Sequence, residues 1–251
     1  MIITSRDNQT IKDIIKLKDK KYREKSYIVE GIKQVDEAIK ENATIEKIVF
    51  TEDFPEKEKY HNFETIEVPV KLFNELTDTI TPQGILAVVS KKDNLEIDYS
   101  KDFILILDNI QDPGNLGTII RTADSCDLGQ IVVSKETVDS YSPKVIRSTM
   151  GSSFRVNVIE RDLEETIDEI KAHGFQVVVT SLQTEQSIYD LDYSKKAVII
   201  GNEANGVREA LLNKADIKVK IPMLGKTESL NASIAAGVVM YEYTRQKITK
   251  M

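Results

Sequence analysis

Six apolar runs of strand length fill the stretch from Phe103 to Ile221, at residues 103–107, 130–133, 156–159, 176–180, 197–200 and 217–221. Segments of helical spacing separate and follow them, near residues 116–126, 144–150, 163–173, 207–212 and 230–248. Gly129 and Gly174 stand where helices are expected to end on glycine. Val/Ile-rich runs alternating with helices predict a mainly parallel sheet covered on both faces. Ligands of such sheets bind beyond the carboxyl ends of the strands. Polar motifs that directly follow a run are therefore the first candidates for chemistry.

A polar, charged stretch at residues 91–102, KKDNLEIDYSKD, precedes this region and reads as a linker. Before it lies a smaller α/β pattern. Ile11, Ile14, Ile15 and Leu17 sit close to helical spacing, and strands are expected near residues 27–29, 45–50, 64–68 and 85–89. Helices are expected near residues 31–40 and 71–77. The sequence thus predicts two α/β domains, 1–95 and 102–251.

Charge narrows the partners. The formal net charge is −7, which taken alone argues against nucleic acid. Residues 1–26 nevertheless carry eight basic side chains against four acidic ones. Lys18, Lys20, Lys21 and Arg23 are candidate phosphate contacts, and a solvated helix face is the plainer alternative. Cys126 is the single cysteine, so no internal disulfide and no zinc spacing is available. With no signal-like apolar segment and no apolar run near 18 residues, a cytoplasmic protein without membrane or metal is expected.

Three segments carry the polar motifs. The first, LDNIQDPGNLGTIIRTADS from Leu107 to Ser125, runs from a strand through a Pro/Gly turn into a helix. Asn115 is a candidate helix cap. Arg121 follows six residues on, either as a paired surface charge or as a reader of phosphate and hydroxyl groups. The second, IIGNEANGV from Ile199 to Val207, places Gly201 and Glu203 at a strand's end, where glycine permits close backbone approach. The third, KIPMLGKTESLNASIAAGVVMYE from Lys220 to Glu242, reads as a strand ending at Pro222, a loop, and a helix from Ser229 dense in small residues.

In this order and spacing the three segments resemble the signature motifs of the SpoU (TrmH) family of RNA ribose methyltransferases, within the SPOUT superfamily. Residues 7–31 resemble its accessory substrate-binding domain, which is similar to ribosomal proteins of the L7Ae/L30e type. The resemblance implies a trefoil knot in the C-terminal domain, a homodimer with the active site at its interface, and S-adenosylmethionine as methyl donor. Residue by residue it implies catalytic roles for Asn115, Arg121, Glu203, Ser229 and Asn231. Gly201, Ile221 and Leu230 match cofactor positions, with Ser181 and Leu182 added to them. Ala204 departs from the pattern, which often has glycine after the glutamate.

The implied function is 2′-O-methylation of a ribose in structured RNA, ribosomal RNA ahead of tRNA. A catalytically idle RNA-binding protein is the rival from another class. A guanidinium, with a pKa above about 12, suits stabilisation of an alkoxide better than proton abstraction. Target selection is expected to lie in the N-terminal domain, and the chain without roughly residues 1–95 is expected to remain a folded, cofactor-binding dimer that no longer selects its RNA. His61 and His173 read as surface groups, and Cys126 as a small buried residue.

Overall fold

A computed structural model of the chain describes residues 1–93 and 95–250. It divides into two compact units, Met1–Asn94 with Asp139–Arg155, and Leu95–Val138 with Val156–Met251.

The first unit is built on a four-stranded sheet of β1 (Ser26–Glu30), β2 (Ile45–Thr51), β3 (Thr65–Val68) and β4 (Ile85–Ser90), in the order β1-β4-β2-β3. β4 runs antiparallel to both neighbours, whereas β2 and β3 are parallel. Side chains alternate across the pleat, so the sheet feeds two cores. Ile28, Val49 and Val88 pack with Ile11 and Ile14 of α1 (Gln9–Lys16) and with Leu72, Phe73 and Leu76 of α3 (Val70–Leu76). On the other face Tyr27, Val29 and Phe50 pack with Val35 and Ala38 of α2 (Ile32–Lys40).

Ile146 and Phe154 complete that second core. They lie on and just after a helix inserted much later in the chain, at Pro143–Thr149. The sequence pattern had assigned this stretch to the C-terminal domain. Arg23 shows what fastens it within the unit: only 5% exposed, its guanidinium donates to Asp139 Oδ2 at 2.8 and 2.7 Å and to the Leu17 carbonyl at 2.7 Å.

The second unit carries a six-stranded sheet in the order β10-β8-β9-β5-β6-β7, every adjacent pair parallel. Its strands are β5 (Phe103–Leu107), β6 (Gln130–Ser134), β7 (Asn157–Arg161), β8 (Gln176–Thr180), β9 (Lys196–Ile200) and β10 (Ile217–Val219). Between and after them run α4 (Pro113–Ser125), α5 (the Pro143–Thr149 helix of the first unit), α6 (Leu163–Ala172), α7 (Glu209–Lys214) and α8 (Ala232–Thr249). The central strands β5, β6 and β9 are buried throughout, as parallel strands covered on both faces require.

Of the expected linker, Asn94 lies outside the described residues, and Leu95, Ile97 and Tyr99 pack on the core of the second unit. Gly174 ends α6 with a φ of 82°, but after α4 that left-handed position belongs to Asp127 (φ 57°) and not to Gly129. β10 stops at Val219, before Pro222, and α8 begins at Ala232, later than expected. No helix of the described residues is long and apolar enough to cross a membrane.

Candidate active site

β5 and β9 are neighbours, yet the chain leaves β5 towards β6 and leaves β9 towards β10 on the far side of β8. Loops that diverge at such a switch point open a crevice at the carboxyl ends of the strands. Two loops meet there, residues 108–112 after β5 and residues 201–208 after β9. Asp108 is fully buried and accepts from Arg208 twice, from its backbone N–H at 2.9 Å and its Nε at 2.7 Å. Asn202 Nδ2 donates to the Asn109 carbonyl at 2.7 Å. Asp108, Asn202 and Arg208 escaped the sequence reading. A charged residue directly ending an all-apolar strand, as Asp108 does, was the available signal.

Beside these loops lies a cavity of about 460 Å³ lined by residues that follow β8, β9 and β10 and by the start of α8. Ser181, Leu182, Gly201, Ile221 and Leu230, all expected at a cofactor site, line it together with Glu203 and Ser229. Asn115, Asn231 and Arg121 do not. Gly201 tolerates no side chain, because a Cβ there would overlap the backbone of Gly206 and Val207. The loop turns back so tightly that Asn202 and Gly206 exchange both backbone hydrogen bonds at 2.9 Å. Ala204, the departure from the family pattern, has no positive φ, and its N–H donates to Asn202 Oδ1 at 2.9 Å. Alanine therefore fits where the pattern suggested glycine.

A line of hydrogen bonds joins the three motifs next to the cavity. Asn231 Nδ2 donates to Asn115 Oδ1 at 2.9 Å, and Asn115 Nδ2 donates to Glu203 Oε1 at 2.9 Å. The Gln111 and Asp112 N–H groups approach the same carboxylate at 3.4 and 3.5 Å. Partial burial pushes the Glu203 carboxyl up, but the Asn115 amide and these backbone donors outweigh it, so it titrates below the usual carboxylate value.

The cap expected of Asn115 falls to another residue. Asp112, not Asn115, caps α4, accepting from the Asn115 N–H at 2.8 Å, with Pro113 in the first turn. Asn231 caps α8 instead, its Oδ1 accepting from the N–H groups of Ser233 and Ile234.

Arg121 stands apart. It is exposed on α4, and its side chain makes no hydrogen bond or ion pair with another described residue. Six residues place it about 240° around the helix from Asn115, so the two side chains do not share a face. The candidate phosphate contacts divide as well. Arg23 is buried against Asp139, and Lys18 binds Asp78 at 2.7 Å and the Thr77 carbonyl at 2.9 Å. Lys20 and Lys21 are exposed, with Lys21 4.9 Å from the Tyr22 ring centre. Elsewhere, His61 and His173 are exposed, His173 stacking on Tyr99 at 3.7 Å, and Cys126 is buried. No group of three or more His, Cys, Asp or Glu among the described residues is arranged to hold a metal.

Fold and site define an α/β protein with a partly apolar cavity at the ends of adjacent parallel strands, beside a line of polar amides. The SpoU rRNA methylase family model matches residues 102–241, and an MRM3-like substrate-binding domain matches residues 8–87. The 23S rRNA (guanosine(2553)-2′-O)-methyltransferase RlmP of Bacillus subtilis is 36% identical over 244 residues, covering 95% of this chain and 97% of its own. The AdoMet-bound rRNA methyltransferase of Sinorhizobium meliloti superposes with a TM-score of 0.88 at 31% identity, over 98% of this chain and 97% of that one. An uncharacterised tRNA/rRNA methyltransferase of Synechocystis is 28% identical over 98% of this chain and 94% of its own. The chain belongs to the SpoU family of RNA methylases, with a substrate-binding domain at its N-terminal side.

Proposed function

We propose that this protein transfers a methyl group from S-adenosylmethionine to the 2′-oxygen of a ribose in large-subunit ribosomal RNA, in the cytoplasm. One observation carries the proposal: two motifs far apart in sequence line one cavity, and the third is tied to them beside it through Asn231, Asn115 and Glu203.

The cavity suits the cofactor. Its volume lies within the range of about 300–1,000 Å³ usual for small-molecule sites, and Leu182, Ile200, Ile221 and Leu230 offer apolar walls for a heterocycle. Ser181, Leu182, Gly201, Ile221 and Leu230 would hold it. When bound, S-adenosylmethionine supplies an electrophilic methyl carbon on a sulfonium.

The chain's own groups must then align and activate the alcohol. Asn115, Ser229 and Asn231 orient the ribose, and Glu203 fixes the direction in which the Asn115 amide points. Arg121 stabilises the 2′-oxygen as it loses its proton. Alignment of the two reactants is worth up to about 7–11 kcal/mol.

Arg121 lies off the cavity of its own chain, which accords with an active site completed by a second copy. We therefore propose a homodimer, together with the trefoil knot typical of the family. Support comes from α8. Ile234, Tyr241 and Ile248 are exposed at intervals of seven residues, a single stripe, while Ala236, Val239 and Met240 are buried behind them. Such an apolar stripe left exposed on a helix is open to a partner. In the first unit, Lys20 and Lys21 remain the candidate phosphate contacts.

Purified protein tested by calorimetry with S-adenosylhomocysteine, and by methyl incorporation from labelled S-adenosylmethionine into unmodified ribosomal and transfer RNA, checks the proposal. Saturable binding and incorporation into large-subunit RNA are expected. Binding without transfer to any RNA points to a catalytically idle protein, and transfer to tRNA alone replaces the substrate.

A further inference from the structure

Asn202 uses both ends of its side chain, and each end serves a different loop. Oδ1 accepts from the N–H groups of Ala204 at 2.9 Å and Asn205 at 3.1 Å, shaping the turn that follows the cavity-lining Gly201. Nδ2 reaches across to the Asn109 carbonyl at 2.7 Å. Asn109 holds a left-handed φ of 59°, and its own N–H donates to Ser134 Oγ at 3.0 Å. Three residues later Asp112 caps α4, whose first turn carries Asn115.

Several bridges join the loop after β9 to the segment that ends on Asn115, among them Arg208 to Asp108 at its far end, and two start from neighbouring side chains of the turn. One is Asn202 to Asn109 and the other is Glu203 to Asn115. The two donating and accepting residues on the loop are adjacent, so the turn cannot shift without moving both bridges. Among side chains of this size only the asparagine amide places the acceptor for the turn and the donor for the carbonyl on separate atoms, whereas a hydroxyl has one atom for both. Aspartate keeps the first and loses the second, and alanine loses both.

We propose that Asn202 is a positioning residue that couples seating of a ligand in the loop after Gly201 to the orientation of Asn115. It thereby aligns the ribose-side amides when the cofactor is in place. This rests on the methyltransferase function proposed above. Two discrete loop segments joined at fixed points can transmit a coupling free energy between sites.

The test uses the full-length protein as wild type, Asn202→Asp and Asn202→Ala. S-adenosylhomocysteine affinity is read by calorimetry, turnover is read as kcat and KM for ribosomal RNA, and amide hydrogen exchange is read at residues 109–112. In the wild type, S-adenosylhomocysteine should slow exchange at residues 109–112. Asn202→Asp should bind it within about threefold of wild type, lose the slowing at residues 109–112, and drop kcat about tenfold, a modest coupling. Asn202→Ala should lose affinity as well. The proposal is overturned if Asn202→Asp keeps wild-type kcat and wild-type protection. It is equally overturned if Asn202→Asp and Asn202→Ala lose affinity and kcat in parallel, the signature of a merely structural turn. Absence of S-adenosylhomocysteine binding by the wild type overturns the underlying function instead, and shows before any variant is compared.

Discussion

Asn231 donates its side-chain N–H to the side-chain oxygen of Asn115 at 2.9 Å, joining the first turn of α8 to the first turn of α4. The same Asn231 caps its own helix. Its two roles separate on substitution. Asn231→Ala loses the cap and should cost about 1 kcal/mol of stability. Asn231→Asp keeps the cap and should unfold within about 0.5 kcal/mol of wild type. Yet it faces the Asn115 oxygen with a carboxylate, and flipping the Asn115 amide only moves the mismatch to Glu203. Both variants should lose methyl transfer. Urea unfolding and initial rates measure the two effects, and a fully active Asn231→Asp would remove the amide line from the mechanism.

Gly201→Ala forces a methyl group into the Gly206 and Val207 backbone. Overpacking of this kind costs about 1–3 kcal/mol, and here the loop yields before the buried strand β9 does. Affinity for S-adenosylhomocysteine should fall sharply while far-UV circular dichroism stays unchanged. Undiminished affinity would place the cofactor away from this loop.

Glu203 titrates below the usual carboxylate value in the folded chain, its donors outweighing partial burial. A depressed folded pKa contributes stability that is present above the unfolded pKa, about 4.3, and is lost as pH falls through the folded one. The stability difference between wild type and Glu203→Gln should therefore be constant from about pH 7 to 5 and shrink only below pH 4.3. Thermal unfolding across this range measures it. A difference that instead grew on acidification would mean that the carboxyl is raised.

Two arginines should behave in opposite ways. Arg23→Ala breaks a buried pair with Asp139 and should destabilise the first unit by about 3–5 kcal/mol. Arg121→Ala removes an exposed side chain without partners among the described residues and should leave stability within about 0.5 kcal/mol. Its methyl transfer should be abolished while S-adenosylhomocysteine still binds. Unfolding curves set beside single-turnover rates distinguish the two, and an active Arg121→Ala would exclude this residue from the chemistry.

Removal of residues 1–95 should not leave an intact remainder. Ile146 and Phe154 pack on the core that those residues supply. The truncated chain is expected to expose this stretch, to bind a hydrophobic dye, and to be cleaved by protease within residues 139–155. A truncated chain resistant there would mean that α5 has a second home.

How much of this stood in the sequence differs by element. Every strand was visible, because buried parallel strands such as β5 and β9 are unbroken apolar runs. The beginning of α4 was legible in Asp112-Pro113, a cap followed by proline, although Asn115 drew the assignment. The start of α8 was not, since residues 220–231 follow no period and only the hydrogen bonds of Asn231 fix the cap. Nor could the pattern show which core receives α5: a seven-residue helix with two buried apolar positions carries too short a pattern to name its sheet. Arg23 read as a phosphate contact because charge counts carry no information about burial. The site residues were legible as motifs and their convergence was not, because Asn202 to Asn109 and Asn115 to Asn231 are contacts between positions roughly a hundred residues apart.

The central claim is transfer of a methyl group to a ribose 2′-oxygen of large-subunit RNA. Mass spectrometry of ribonuclease digests of ribosomal RNA, from cells with and without this protein, tests it most directly. One nucleotide should carry its methyl group on the ribose in the first sample and be unmodified in the second. A methyl group on a base, or the same set of ribose methylations in both samples, would contradict the account.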